Sequence, residues 1–333
     1  MNSVTVPPEF TLKVAEARVL NPLVRLIRLE APDGAALPPW TAGAHIQVQV
    51  RLADGASDWR HYSLIDLEHG GGADASPHAY TIAVRREAQG RGGSRFMHED
   101  LQPGDLLRVR APVNNFALRQ CGGATVLLAG GIGITPLSSM AACCRAQGRS
   151  VRLHYAGRSR GLMAFMEPLQ SLLGDDLRVH ADDECAGVVF DIDALLKDCG
   201  PDDMLYVCGP RPMLDAVLAA ADAQGWAPGR VHFELFTPAV AEEGDHAFEV
   251  ELAQSGLTFT VPADQTVLDC LIEHGCDPLY DCKRGECGVC TVTVLEGEVD
   301  HRDYVLTQSE KDSGAVMQIC VSRAKGARLV LDL

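Results

Sequence analysis

Nowhere in this 333-residue chain do 18 apolar residues run together, so no segment has the length of a transmembrane helix. The opening MNSVTVPPEF has neither a basic start nor an apolar stretch, and no signal peptide is expected. The expected location is therefore the cytoplasm. Positive charge is scarce: 29 Lys and Arg face 45 Asp and Glu, a formal net charge of −16. Such a balance argues against nucleic acid or anionic membranes, whose binding needs a basic face. Internal repeats and low-complexity tracts are missing too. Cysteine, by contrast, is plentiful, with 12 residues. Eight of them (Cys121, Cys143, Cys144, Cys185, Cys199, Cys208, Cys270 and Cys276) share no spacing and sit mostly among apolar or small neighbours. They read as reduced, buried thiols in a reducing compartment.

An apolar content of 47% with 22% charged residues suits a globular chain, and the length suggests two or three domains of about 100–150 residues. Residues 1–112 read as short strands, among them FTLKVAEARVL, VRLIRLEA, AHIQVQVRL, RHYSLID, AYTIAVRRE and DLLRVRAP. Gly, Pro and Asp separate them, and an antiparallel barrel or sandwich follows. One helical insert, SRFMHEDL, comes after a glycine cluster. Over 113–236 the texture changes to strand and helix in alternation, beginning with the continuous apolar run ATVLLAGG. That pattern predicts a parallel sheet covered by helices. The polar stretch TPAVAEEGDHA has neither period, and 237–246 is expected to be a linker. Residues 247–333 predict a small α+β domain with the amphipathic helix TVLDCLIEHG. From Ala247 onward 15 Asp and Glu stand against 7 Lys and Arg, a balance of −8. This reads either as a solvated surface or as steering toward a basic protein partner.

The strongest motif is CKRGECGVC. Cys282, Cys287 and Cys290 give C-x4-C-x2-C, and Cys320 follows after 29 intervening residues, the plant-type 2Fe–2S spacing. Gly285 and Gly288 allow the loop positive φ and bring backbone N–H groups toward the sulfurs. A four-cysteine zinc site is the alternative, although such sites usually pair two short C-x2-C knuckles. The pattern C-x-x-G-x-C-G-x-C resembles that of chloroplast and bacterial plant-type ferredoxins.

Two further stretches end predicted strands of the α/β region. In LLAGGIGITPL, Gly130, Gly131 and Gly133 precede Thr135, Pro136 and a helix. In YVCGPRPM, Cys208, Gly209 and Pro210 do the same. Glycines there let a backbone approach a pyrophosphate at a helix N-terminus, and paired strand ends favour a nicotinamide site. Alone, each is also compatible with an ordinary tight turn. In the first region, Arg60 offers a fork for phosphate, Tyr62 an aromatic wall and Ser63 a hydroxyl for a ring nitrogen. Gly92 and Gly93 lead to Ser94, read as the N-cap of the short helix.

Taken in order, RHYSL, IAVRRE…GRGGS, LLAGGIGITPL, CGPRPM, VHFELF, CKRGECGVC, GEVDHRDYVLT and ICVSRA…LVLDL run from end to end of the chain. Their order resembles the phthalate dioxygenase reductase family, vanillate O-demethylase reductase-like proteins included. In that family ferredoxin–NADP⁺-reductase-type modules are fused to a C-terminal plant-type ferredoxin. The resemblance implies an FMN-binding β-barrel over 1–112, an NAD-binding α/β domain over 113–236 and a β-grasp ferredoxin over 247–333. It implies FMN rather than FAD, held by Arg60, Tyr62, Ser63 and Leu64, with Ala83, Val84, Arg85, Gly92, Gly93 and Ser94 completing the site. Gly131, Gly133, Thr135, Asp182, Cys208, Gly209 and Pro210 would seat the pyridine nucleotide. Phe236 would stack near the flavin, or it is an ordinary strand phenylalanine. No acid or base beyond a hydrogen bond from Ser63 or Thr135 near the flavin is required.

Arg158, Ser159 and Arg160 could grip a 2′-phosphate, whereas Asp182 and Asp183 would repel one or bond a ribose hydroxyl; NADH is favoured. The expected activity is that of an NADH-dependent reductase component of a multicomponent oxygenase. A hydride would pass from NADH to FMN, and single electrons through the 2Fe–2S cluster to a Rieske-type aromatic oxygenase or demethylase. The expected partner is that terminal oxygenase, met by a monomer. Alternatives are delivery to a cytochrome P450 or a diiron hydroxylase, and a redox sensor without turnover.

Overall fold

In the strand HIQVQVR, alternation turns Ile46, Val48 and Val50 into a shared interior, as the period of a half-buried strand requires. Six strands contribute to that interior: β1 (Glu9–Asn21), β2 (Val24–Glu30), β3 (His45–Arg51), β4 (Ser57–Ser63), β5 (Ala79–Arg85) and β6 (Leu106–Val113). In this computed structural model residues 8–72, 76–184, 190–227, 229–236 and 242–333 are described. Cys185 and positions 237–241 of the expected linker lie outside them. The six strands pair antiparallel in the order β4-β3-β6-β1-β2-β5. Just past β4, Ile65 N–H donates to Thr81 C=O of β5 at 2.9 Å, joining the two edge strands of the sheet. Inside, Leu12, Val14, Ile27, Leu29, Tyr80 and Val109 are buried together. The expected helical insert is a single turn, α1 (Gly93–Arg95), running into a wide turn over Phe96–Asp100.

The continuous apolar run becomes β7 (Thr125–Gly130), buried at every position. With β8 (Val151–Gly157), β9 (Leu177–Ala181), β10 (Met204–Cys208) and β11 (Val231–Glu234) it forms a parallel sheet ordered β11-β10-β7-β8-β9. Helices α2 (Ile134–Ala146), α3 (Met166–Leu173), α4 (Ile192–Lys197) and α5 (Arg211–Ala223) lie between the strands in sequence. The order reverses between β7 and β10, the place where open α/β sheets bind ligands. These two sheets lie in one compact unit within Thr5–Glu234, and a second unit is built on Leu235–Leu333.

Two histidines of the parallel sheet were not anticipated. His154 Nδ1 lies 3.2 Å from His180 Nε2, the rings are parallel within 3°, and Phe190 packs against both. Burial, with help from His180 and Arg178, holds His154 down to about 4. Unfolded, the imidazole titrates near 6.5, so acid loads the unfolded chain with a proton first. Stability from the neutral ring is intact above pH 6.5 and lost between about 6.5 and 4, by roughly 3 kcal/mol. Denaturant melts at pH 7 and pH 4.5 check this: His154→Gln should flatten the difference between them, and an unchanged difference would refute the assignment.

The second unit holds β12 (Phe248–Leu252), β13 (Thr258–Val261), β14 (Thr291–Glu296), β15 (Val299–Asp300), β16 (Val316–Gln318), β17 (Arg323–Ala324) and β18 (Arg328–Leu331). Its main sheet runs β13-β12-β18-β14-β16, with β12 and β18 parallel and the other neighbours antiparallel; β15 and β17 pair separately. Helix α6 (Val267–Glu273) starts at Thr266, whose hydroxyl accepts from Asp269 N–H at 3.0 Å. Helix α7 (Gln308–Ser313) starts with a full capping box between Thr307 and Glu310, which satisfies two otherwise orphaned donors. Among the described residues no helix is long and apolar enough to cross a membrane.

Candidate functional site

The loop between α6 and β14 carries Cys282, Cys287 and Cys290, and the turn after β16 carries Cys320. The four thiols share hydrogen bonds: Cys282 with Cys287 and Cys320, and Cys290 with Cys320. Those bonds hold Cys282 well below the ordinary thiol range and push Cys320 up. Arg284 N–H donates to Cys282 Sγ at 3.3 Å, and backbone donors also reach it from Glu286 and reach Cys287 from Val289. A ring of sulfurs served by amide donors is what a thiolate-bound cluster needs. The loop can turn this way because Lys283, Gly285 and Gly288 all take positive φ. A Cβ on Gly285 would also stand 2.7 Å from Val321 Cγ2, so only glycine suits that position.

In the barrel, Ser63 ends β4, and its buried hydroxyl makes no hydrogen bond within the protein. An orphaned buried hydroxyl is costly unless a bound group satisfies it, so the residue fits a flavin ring nitrogen. Tyr62 is half-buried, and burial pushes its phenol up. Leu64 is buried and its carbonyl accepts Ser139 Oγ of α2 at 2.9 Å. Ala83 packs with Val24, Ile65 and Ala164, Val84 C=O contacts His98 Nε2 at 2.8 Å, and Arg85 faces Glu87 at 3.4 Å. Arg60 Nε lies 3.5 Å from where a Cβ of Gly93 would stand, so the guanidinium and the glycine loop adjoin. Arg60 already faces Asp58 Oδ2 at 2.5 Å; a phosphate would have to compete for it. Arg86 and Arg95, which the sequence reading missed, line a hollow of about 230 Å³ with Glu87, Gly90 and Gly92; both face Glu99.

The reading of Ser94 as N-cap is corrected. Gly92, at φ 102, occupies the cap, and Ser94 lies inside the turn with its hydroxyl accepting Glu87 N–H at 3.0 Å. A Cβ at Gly92 would stand 2.6 Å from Ala53 N, so the glycine is chosen by space and the serine braces the loop behind it.

At the sheet's reversal the ends of β7 and β10 touch. A Cβ on Gly133 would lie 2.0 Å from Cys208 C=O oxygen, and one on Gly130 2.6 Å from Pro210 Cδ. Gly131, at φ 56, has nothing within 4 Å of its would-be Cβ, leaving room beside the N-terminus of α2 for a ligand backbone. Cys208 is buried, Gly209 packs against Gly130, and Pro210 caps α5. Thr135 is buried, and its hydroxyl donates to Ile132 C=O at 3.0 Å, so it can only accept elsewhere. Asp182 is exposed at the end of β9 and its N–H donates to Gly157 C=O of β8 at 2.9 Å. Arg160 is paired with Glu184 at 2.7 Å.

Other buried polar groups had no linear signal. His45, paired with Ser63 across β3 and β4, has Nδ1 4.0 Å from Glu234 Oε1, both side chains being buried. Arg284 and Glu286 pair at 3.0 Å inside the cysteine loop, and burial raises Glu286 to about 7. Glu234 lies in VHFELF and Glu286 in CKRGECGVC, so both were in view as motif letters; their pairing was not. Phe236 is half-buried beside the buried Leu235.

Comparison with known proteins agrees with this geometry. Residues 127–219 match the oxidoreductase NAD-binding domain and residues 250–325 the 2Fe-2S iron-sulfur cluster binding domain. The chain is 41% identical over 323 residues to the toluene-4-sulfonate monooxygenase system reductase subunit TsaB1 of Comamonas testosteroni, covering 96% of this chain and 98% of that one. It is 37% identical over 326 residues to phthalate dioxygenase reductase of Burkholderia cepacia, covering 97% of each. A solved phthalate dioxygenase reductase, described as a modular structure for electron transfer from pyridine nucleotides to a 2Fe–2S centre, superposes with TM-score 0.73, 37% identity and 98% coverage of both chains. Full-length CYP116B46 from Tepidiphilus thermophilus matches with TM-score 0.71 and 38% identity, over 100% of this chain and 44% of that one.

Barrel, parallel sheet and cluster domain in one chain define a modular oxidoreductase that carries electrons from NADH by way of a flavin to a 2Fe–2S centre. The chain belongs to the phthalate dioxygenase reductase family, the reductase components of oxygenase systems.

Proposed function

We propose that the flavin is FMN, that NADH is preferred over NADPH, and that the electron acceptor is a Rieske-type aromatic oxygenase or demethylase. The orphaned Ser63 hydroxyl in the barrel, in a chain that also carries the nucleotide crevice and the cysteine loop, carries the reading. When bound, the flavin and the cluster supply the conversion of a two-electron hydride into single-electron transfers. The protein's part is placement. Ser63 bonds a flavin ring nitrogen, Arg60 and the Gly92–Gly93 loop hold the phosphate, and Tyr62 walls the ring. Exchanging Asp58 for phosphate on Arg60 is cheap, because partly exposed pairs are worth only about 0–1 kcal/mol. Gly131 and Gly209 admit the pyrophosphate, and Thr135 accepts a hydrogen bond. Asp182 takes a ribose hydroxyl. Asp182 and Asp183, both exposed just past β9, support NADH, since they would repel a 2′-phosphate.

Cofactor extraction from purified protein tests the flavin, and kcat/KM for NADH against NADPH tests the nucleotide. Ser63→Ala should slow NADH-dependent flavin reduction about tenfold, the loss of one hydrogen bond to the reacting ring, with the cluster's EPR signal unchanged. Reduction at the wild-type rate would remove Ser63 from the site.

The names of the Comamonas and Burkholderia relatives support an aromatic-oxygenase partner. Leu279 and Tyr280, exposed beside Cys282, offer that partner an apolar contact on an acidic domain. A cytochrome P450 acceptor is the second reading, favoured by the whole-chain match to part of CYP116B46; reconstitution with each acceptor separates the two. We place the chain in the cytoplasm as a monomer, the latter checked by sedimentation.

A further inference from the structure

The alternation that turns Ile27 and Leu29 of β2 into the barrel interior puts Arg25, two positions earlier, on the same face. A guanidinium therefore holds a place where the period calls for an apolar side chain, and the residue is only 7% exposed. Its neighbour across the sheet, Val84 of β5, is an ordinary interior valine. Arg25 Nη1 donates to the carbonyls of Met97 and His98, both at 2.9 Å, and among the described residues no carboxylate pairs with it.

Those carbonyls belong to the turn Phe96–Asp100, and the amides that would follow them in a longer helix are spent elsewhere. Leu101 N–H returns to Phe96 C=O at 3.1 Å, and Gln102 N–H goes to Asp105 Oδ2 at 2.8 Å. Residue 103 is proline, which has no donor. A buried carbonyl without a donor is costly, and a charged donor makes the stronger bond, so Arg25 supplies what the backbone does not. A further tie is His98 Nε2, 2.8 Å from Val84 C=O. The pairs Arg51–Asp100 and Arg86–Glu99 also reach this turn, but they are exposed, and such pairs contribute little. At its start the turn runs straight out of the glycine loop, where a Cβ on Gly93 would stand 2.9 Å from Val50 Cγ2.

We propose that Arg25 is a positioning residue for the flavin phosphate: by gripping Met97 and His98 it fixes the turn, and with it the Gly92–Gly93 loop beside Arg60. It acts from behind the loop, through the backbone it holds. The inference rests on the reading of that loop as the phosphate cradle. It also says which end of the flavin feels the loss of Arg25. Ser63 and Leu64, at the ring, have supports of their own, Ser63 in its pairing with His45 of β3 and Leu64 in its bond from Ser139 of α2. The phosphate end alone depends on Arg25.

The test is a binding measurement on the full-length chain stripped of flavin. It is titrated with FMN and with riboflavin, which has the same ring without the phosphate, and quenching of flavin fluorescence is followed. Arg25→Met should raise the Kd for FMN about tenfold or more, the scale of the charge-assisted hydrogen bonds removed. The Kd for riboflavin should stay within twofold of wild type. Arg25→Lys keeps the charge but only as a compact point donor, and its FMN affinity should fall between the two. Equal losses for both flavins would show a general prop of the barrel and overturn the proposal, as would wild-type affinity for FMN. Were the methionine variant not to fold, Arg25→Lys is read in its place, with a loss of about threefold or more expected for FMN alone. A wild-type protein that bound riboflavin as tightly as FMN would count instead against the phosphate loop itself, so the two failures are distinguishable.

Discussion

Cys290→Ser should leave reduction of the flavin by NADH at its wild-type rate while transfer to cytochrome c or to an oxygenase falls about a hundredfold or more. Cys290 directly precedes β14, is buried, and donates to Gln318 Oε1 at 3.4 Å besides sharing a hydrogen bond with Cys320. A serine oxygen is a poorer iron ligand than a thiolate, and perturbing even the groups around a metal's ligands typically costs 10–100-fold. Cys290 also belongs to the buried core that includes Val250, Ile319 and Leu329, so loss of the cluster should loosen its own domain. The flavin and nucleotide sheets belong to the other compact unit and need not unfold with it. Stopped-flow reduction with EPR quantification of the cluster checks this. Loss of flavin reduction in a folded variant would show that the two functions are not carried by separate parts.

Gly133→Ala should be among the most damaging single-methyl changes in the chain. The new Cβ would stand 2.0 Å from the Cys208 carbonyl oxygen and 2.4 Å from its carbon. Both obstacles are backbone, so β7 and β10 must part where their pairing ends. Overpacking of this kind costs about 1–3 kcal/mol and sometimes more, and a rigid backbone obstacle puts this case at the upper end. Gly131→Ala is the contrast: it meets no atom within 4 Å but must hold φ 56, a strain of roughly 1 kcal/mol. Thermal melts should rank Gly133→Ala well below Gly131→Ala. The KM for NADH should rise in both, since Gly131→Ala fills the open space beside α2. A wild-type melting temperature for Gly133→Ala would refute the close contact of the two strand ends.

The spacing of Cys282, Cys287, Cys290 and Cys320 was legible because one loop supplies three of the four, and a loop's geometry is written in consecutive residues. The same holds for strands such as β3 and β7, whose burial pattern is their local period. The glycines of LLAGGIGITPL were legible as a tight strand end, but not why Gly133 in particular admits no side chain. That depends on Cys208, 75 positions away. Asp245–Arg302 and His154–His180 show the same limit in polar form. They join residues 57 and 26 positions apart, and no periodicity marks such partners. Ser94 was misread because a serine before a helical run is the usual cap signal, whereas here the tight approach of Gly92 to Ala53 decided which residue occupied the cap. The burial of Asp245 within TPAVAEEGDHA was not legible either, because composition reports solvation and a single buried aspartate in a polar stretch looks like its neighbours.

The placement of β18 bears on how the molecule is made. It follows every other strand of its sheet in the chain, yet it lies between β12 and β14 at the sheet's centre. During synthesis the flavin and nucleotide sheets, complete by Glu234, can fold while the cluster domain still lacks its middle strand, since domains fold as units from the N-terminal side. The half that takes electrons from NADH is therefore assembled before the half that hands them on. A ribosome stalled short of Arg328 would release a protein able to oxidise NADH with no ordered outlet for its electrons.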